Sequence, residues 1–155
     1  EWLPDGLKLV ESVQYARALA VSGVAYISVI GGTYESFFLP DIIQSSRKEG
    51  YMVELAAAIK KAVSVPVITA GRISAGAFAE NVIADGKADL IGLARVLWAD
   101  PEWPSKVKEG RENEIVHCAS DCEDTCTKLV TKGKVAFCVR WPHDKLQEWK
   151  GKVAD

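Results

Sequence analysis

The chain has 155 residues, 48% of them hydrophobic, and a formal net charge of −2. That is enough apolar material for one domain with a core, and the weakly acidic balance gives no attraction to nucleic acid or to an anionic membrane. The most apolar stretches, such as residues 21–30, run for about ten residues and carry Ser and Gly, too short for a membrane-spanning helix. Nothing at the start reads as a secretory signal, so a cytoplasmic protein acting on a small-molecule substrate is expected. The chain starts at Glu1 rather than Met, which is expected of a piece of a longer protein or a processed product.

Residues 1–5 read as an entry loop. Leu7, Val10, Val13, Ala16 and Leu19-Ala20 then recur at helical spacing, with Lys8, Glu11 and Arg17 between them, and Gly23 ends that helix. Residues 24–30 form the next strand, closed by Gly31-Gly32. Residues 33–50 show no clear period, and a loop of that length is uncommon unless functional or mobile. Its aromatics Tyr34, Phe37 and Phe38 either line a pocket or, the preferred reading, pack as a lid or against neighbouring structure. A second amphipathic helix covers residues 51–63, with Met52, Leu55, Ala56, Ile59 and Val63 on one face and Lys60-Lys61 at the end where cations suit the dipole.

Residues 65–101 organise the rest. A β-branched run at 65–69 breaks at Ala70-Gly71 and passes through Arg72-Ile73-Ser74 into a helix at 75–83, with Ser74 as its expected N-cap and Asp85-Gly86 as its stop. The plan then repeats. Residues 88–93 read as a short buried strand, Ala94-Arg95 as its turn, and Val96-Leu97-Trp98 as a helical turn stopped by Asp100-Pro101. Two strand-turn-helix units, each with small residues and an arginine at the turn, aim backbone N–H groups at one point, as a phosphate site does. The alternative is that Arg72 and Arg95 pair with carboxylates. Alternation of helix and strand means a parallel sheet with right-handed crossovers. Three parallel strands leave both sheet edges open, so the fold is expected to need the remaining part of a larger sheet, another chain or self-association.

All four cysteines fall in one segment, Cys118, Cys122, Cys126 and Cys138, spaced C-x3-C-x3-C-x11-C. Such concentration favours a metal or cluster site over scattered core thiols. Soft thiolates suit an iron–sulfur cluster or zinc, the latter with or without His117; disulfides and idle thiols remain the alternative. Beyond Cys138, Val139-Arg140-Trp141-Pro142 and the Lys-rich tail give no further motif, and no GxGxxG occurs.

Gly71-Arg72-Ile73 after the strand, the spacing to residues 88–95, and Leu97-Trp98-Ala99-Asp100-Pro101-Glu102-Trp103-Pro104-Ser105-Lys106 resemble the C-terminal part of the old yellow enzyme family. These are NADH:flavin oxidoreductases with an FMN-binding (β/α)8 barrel. The resemblance runs from Gly6 through the cysteine segment, and is greatest to the iron–sulfur 2,4-dienoyl-CoA reductase and trimethylamine dehydrogenase type. It implies an α/β chain forming part of a TIM barrel, about strands six to eight with their helices (residues 1–112), followed by a Cys-rich segment (residues 113–155). It further implies that Gly71, Arg72, Ala94 and Arg95 bind the FMN phosphate and that the four cysteines hold a [4Fe–4S] cluster. Two departures stand out: Ala94 replaces the usual glycine, and the first cysteine gap holds Ala119-Ser120-Asp121 where the family has two residues. Substrate-side catalytic residues lie on earlier strands in that family, leaving Tyr34 as a weak candidate. The expected function is an FMN-dependent oxidoreductase of ene-reductase or dehydrogenase type, incomplete and inactive as this chain alone. The alternatives are an assembly or electron-transfer subunit that retains part of a flavoenzyme barrel, and a phosphate-binding enzyme unrelated to flavin.

Overall fold

In the computed structural model, which describes residues 2–118, 122 and 125–153 without the side chains of 37, 152 and 153, the first apolar period folds as α1 (Leu9–Val21). The Glu11 carboxylate accepts a hydrogen bond from Lys8 N at 2.8 Å and so closes the first turn. The chain then forms β1 (Ile27–Ser28). The interval expected to be aperiodic contains a 3₁₀ turn, Ser36–Phe38, and the short helix α2 (Pro40–Ser45) with proline at its start. Six residues are too few to display a period, which is why the pattern missed it. Tyr34 and Phe38 meet edge to face at 5.7 Å and remain exposed, contrary to the expectation that they pack down as a lid; the Phe37 side chain lies outside the described residues.

Next come α3 (Val53–Lys60), β2 (Val67–Thr69), α4 (Gly76–Ala84) and β3 (Leu90–Ile91). The strands make a parallel sheet in the order β1-β2-β3, with Ile27 opposite Val67 and Thr69 opposite Ile91. Ala16 of α1, Ala56 and Ile59 of α3 and Val67 of β2 form a buried core, flanked by Val13, Ile27, Val29 and Val63. Burial of a side chain such as Ile59 or Val67 contributes about 1.5–3 kcal/mol. The strands are where the pattern puts them, but their ladders are shorter. The 88–93 strand also differs in burial: Leu90 is half exposed, whereas Val67 and Thr69 are fully buried. Among the described residues only β2 has a strand on each side, and it is buried on one face at Val67 and Thr69 while Ile68 on the other is half-buried, short of the two-sided burial expected of a parallel strand.

The chain divides into two compact units, Glu1–Leu93, which holds all of the above, and Ala94–Asp155. The second unit is helical: α5 (Arg95–Ala99), α6 (Trp103–Lys108), a 3₁₀ turn at Glu112–Glu114, α7 (Thr125–Thr131) and α8 (His143–Val153). Its polar centre is Asp100, just 3% exposed. Asp100 Oδ2 accepts from Lys106 Nζ at 2.7 Å and Val116 N at 2.9 Å, and Oδ1 accepts from Glu102 N at 3.0 Å. Lys106 Nζ also donates to the Glu114 carbonyl at 3.1 Å. Residues 114–116 are thereby tied to the end of α5. Among the described residues no helix is long and apolar enough to cross a membrane.

Burial alone would raise the Asp100 carboxyl; the Lys106 ammonium and the N–H groups of Val116 and Glu102 outweigh it and hold it below the ordinary carboxylate value. A lowered folded value means the carboxylate stabilises fully above its ordinary 3.8 and loses that contribution as pH falls through the folded value. Asp100→Asn leaves the buried Lys106 ammonium with only the exposed Glu102 carboxylate, 4.0 Å away, as counter-charge, and we expect it to lower the unfolding free energy by about 3 kcal/mol. Urea unfolding near neutral pH measures this, and the difference from the native chain should shrink once the pH falls below the Asp100 transition. Removing the exposed Lys87–Glu54 pair should leave the unfolding midpoint unchanged.

Candidate functional site

The first arginine turn follows β2 directly. Gly71 has φ 109° and Arg72 φ 54°, and Arg72 is the one non-glycine at positive φ among the described residues. A side chain held there costs on the order of 1–3 kcal/mol, and such strain clusters at ligand-binding turns. The turn is pinned by the Gly71 carbonyl, which accepts from Gly50 N at 2.7 Å. Gly71 also needs to be glycine for space: a Cβ would lie 3.1 Å from the Tyr51 ring and 3.2 Å from Met52 N. Two residues before Gly71, the Thr69 hydroxyl is fully buried with no hydrogen-bond partner in the described chain, an atom that a ligand or further polypeptide could satisfy.

Ser74 is not the cap of α4. The N-cap is Ala75, which makes no side-chain capping bond. Glu49 supplies the oxygen instead: its Oε1 accepts from Ser74 N at 2.7 Å, Ser74 Oγ at 2.9 Å and Ala75 N at 3.0 Å. Burial would raise this carboxyl, but the three donors lower it below its ordinary value. The positive end of α4 is thus already met by a carboxylate. An anion at this turn is left with the backbone of Gly71 to Ile73 and the Arg72 guanidinium.

Ala94-Arg95 opens the second unit. Ala94 takes φ −127° and ψ −81°, so this turn does not require the positive φ at which an alanine would be penalised. Arg95 lines a cavity together with Cys118, Cys122, Cys126 and Cys138; Trp98, Phe137 and Arg140 complete its wall. The four cysteines of residues 118–138 converge there, each partly buried and none in a disulfide. Burial pushes the Cys118 thiol above its ordinary value; Arg95 pulls it down, and Cys126, Cys122 and Cys138 add to the rise. No three Cys, His, Asp or Glu side chains among the described residues are arranged to hold a single metal ion as they stand. Tetrahedral zinc with bonds of about 2.3 Å would need its sulfurs gathered around one point, whereas a multi-iron cluster spreads its thiolates around a larger body. His117 is exposed and not part of the cavity wall. Ala119, Ser120 and Asp121, the residues of the unusual first gap, lie outside the described residues.

In the first unit a separate apolar cavity of about 350 Å³ is walled by Trp2, Tyr15 and Leu19, Ile27 and Val29 around β1, and Leu55 of α3. Among the described residues no strand pairs with β1 on the side away from β2.

Residues 5–114 match the model of the NADH:flavin oxidoreductase / NADH oxidase family. The chain belongs to this family. It is 46% identical over 127 residues to an NADH oxidase of Thermoanaerobacter brockii, covering 81% of this chain and 19% of that protein. Among solved structures it resembles a 2-naphthoyl-CoA reductase in complex with 2-naphthoyl-CoA, with a TM-score of 0.80 at 28% identity over 90% of this chain and 21% of the other. It also resembles histamine dehydrogenase from Rhizobium sp. 4-9, with a TM-score of 0.71 at 28% identity over 86% of this chain and 18% of the other. The chain therefore spans about a fifth of the family members it matches.

Sequence reasoning missed Glu49, Asp100 as more than a helix stop, and Trp141. Glu49 left no local signal, since its partner Ser74 lies 25 positions away; Asp100 has near partners in Glu102 and Lys106, but the bond that ties it to the cysteine segment comes from Val116, 16 positions on. The tail did carry one: Leu146 and Trp149 recur at helical spacing, and α8 uses both as its less exposed face.

Gly71→Ala should destabilise the chain by about 1–3 kcal/mol, because it adds positive-φ strain and a contact with Tyr51; a change in the urea midpoint close to zero would contradict that geometry. In the metal-free protein near neutral pH, Cys118 should be alkylated several-fold more slowly than in the unfolded chain, and Arg95→Gln should slow it further by removing the positive charge that favours its thiolate. Peptide mass spectrometry of timed reactions reads both rates.

Proposed function

We propose that this chain is part of an FMN-dependent oxidoreductase of ene-reductase or dehydrogenase type, in which residues 1–112 supply about strands six to eight of a (β/α)8 barrel and residues 113–155 form a cysteine-rich segment. One observation carries the reading: Arg95, which opens the second arginine turn, lines the same cavity as the four cysteine thiols. The turn that resembles a flavin-phosphate loop and the cysteine site are thus one continuous piece of chain.

The residues fit both groups. At the first turn the strained Gly71-Arg72 pair offers backbone N–H groups and a guanidinium to the phosphate of FMN. At the second, Ala94 offers its N–H without the backbone penalty that positive φ would bring, and Arg95 adds charge. Cys118, Cys122, Cys126 and Cys138 would hold the [4Fe–4S] cluster. FMN, when bound, supplies hydride transfer, and a cluster beside it supplies single-electron relay. The chain's own part is to hold and orient them. Arg95 places positive charge beside the Cys118 thiol, which must be deprotonated to bind iron, and opposes the rise that burial imposes on it. Trp98 and Phe137 add apolar surface to the wall of the cysteine site.

Completion by further polypeptide, in the same chain, in another or in a second copy, is part of the proposal. It is supported by the unpaired side of β1, the cavity beside it and exposed Tyr26, Ile30 and Leu90. A cytoplasmic setting is part of the same proposal.

The protein isolated from its source, with any chain that accompanies it, tests this. Flavin bands near about 370 and 450 nm, with about four iron atoms and four sulfides per chain, are expected. Iron without flavin would favour a non-catalytic electron-transfer or assembly subunit. A colourless protein with neither would overturn the redox reading.

A further inference from the structure

The first and last cysteines of the site are both anchored to the same three residues. Cys118 follows Val116 by two positions, and Val116 N donates to Asp100 Oδ2 at 2.9 Å. Cys138 precedes Trp141 by three; its carbonyl accepts from Trp141 N at 3.2 Å, and the Trp141 indole Nε1 donates to the Trp98 carbonyl at 2.5 Å. Trp98 and Asp100 are the C-terminal end of α5, where helix carbonyls lack intrahelical partners. The Trp141 ring is itself fixed, edge to face with Trp149 at 5.9 Å and beneath Lys145 Nζ at 4.2 Å.

We propose that the Trp98–Asp100 segment is a clamp that sets Cys118 and Cys138 in place before the site is filled, with Asp100, Val116 and Trp141 as positioning residues. The inference rests on the cluster reading above. The inner pair is held locally instead: Thr125 Oγ1 donates to the Cys122 carbonyl at 2.6 Å, at the start of the helix that carries Cys126. Without the clamp, Cys118 and Cys138 would be the ends of a loop of about twenty residues, and binding would have to supply the closure entropy itself. With it, that cost falls on folding, through a buried carboxylate that Lys106 keeps charged. The clamp also accounts for the tolerance of the longer first gap, because the position of Cys118 is fixed from upstream, independently of the spacing to Cys122.

Two substitutions cut one anchor each. Val116→Pro removes the N–H that reaches Asp100 while leaving the Asp100–Lys106 pair intact. Ile115 already has φ −69° and ψ 127°, as a residue before proline requires. Trp141→Phe removes the indole N–H and keeps an aromatic ring. In the holoprotein, each should accelerate chelator-driven iron loss about fivefold, the factor that corresponds to about 1 kcal/mol for one hydrogen bond. The two together should give about the product, since they act on different cysteines. The electron paramagnetic resonance spectrum of the reduced cluster should shift, while flavin content stays at the native level. Arg111→Ala, which removes exposed bonds to Glu109 and Glu114 in the same stretch, is the control expected to release iron at the native rate. Native iron release and an unchanged spectrum in both single variants would overturn the clamp and leave the cluster reading standing. A native protein without iron or sulfide would overturn the cluster reading, and the clamp with it. If Val116→Pro fails to fold, Trp141→Phe decides by itself.

Discussion

A buried carboxylate is stable only when its charge and lone pairs are met, and the second unit is built around meeting that requirement at Asp100. One ammonium and two backbone N–H groups do so, and they come from α6, from the residue that starts it and from the stretch after the 3₁₀ turn. Satisfying Asp100 therefore fixes where the chain must run on its way to the first cysteine. An apolar residue at this position could pack as well, but it would not select that path. The ion pair specifies an arrangement more than it adds stability, which is the use of buried charge that its desolvation cost leaves open.

A similar division of labour governs the first unit. Its core is a small apolar cluster in which α1 and α3 cover β2, and any sequence of the right period and volume would form it. What is particular is the turn that this core supports. Gly71 and Arg72 hold positive φ where Gly50, Tyr51 and Met52 close around them, and the Glu49 carboxylate occupies the N-terminus of α4. The strain and the diverted helix end point the same way. In the proposed flavin site, anion binding at this turn would rest on the strained backbone and one guanidinium rather than on the end of α4.

Much of this was legible in the sequence. The order helix, strand, helix, strand, helix, strand follows from apolar periods, and the parallel direction follows from that order, because a crossover helix between strands leaves little alternative. The Gly71-Arg72 break was visible as small residues ending a β-branched run. Strand lengths were not, since a ladder extends only as far as a neighbour pairs with it, and β1 and β3 have one neighbour each. Ser74 looked like a cap because capping is usually local, yet a carboxylate from the loop before α3 outcompeted it. The tail beyond Cys138 looked featureless, and it supplies Trp141.

The sequence by itself determined which groups are available: two arginine-bearing turns, four thiols within one segment, and a family-like run from Leu97 to Lys106. These are properties of composition and spacing, which folding does not alter. Only the tertiary structure decided their company. It set Arg95 among the four cysteines, gave Glu49 to α4, and brought Val116 and Trp141 to the two ends of Trp98–Asp100. Each of those contacts joins residues many positions apart, and their pairing depends on a folded chain that shields the Asp100 carboxylate from water and brings its donors to it.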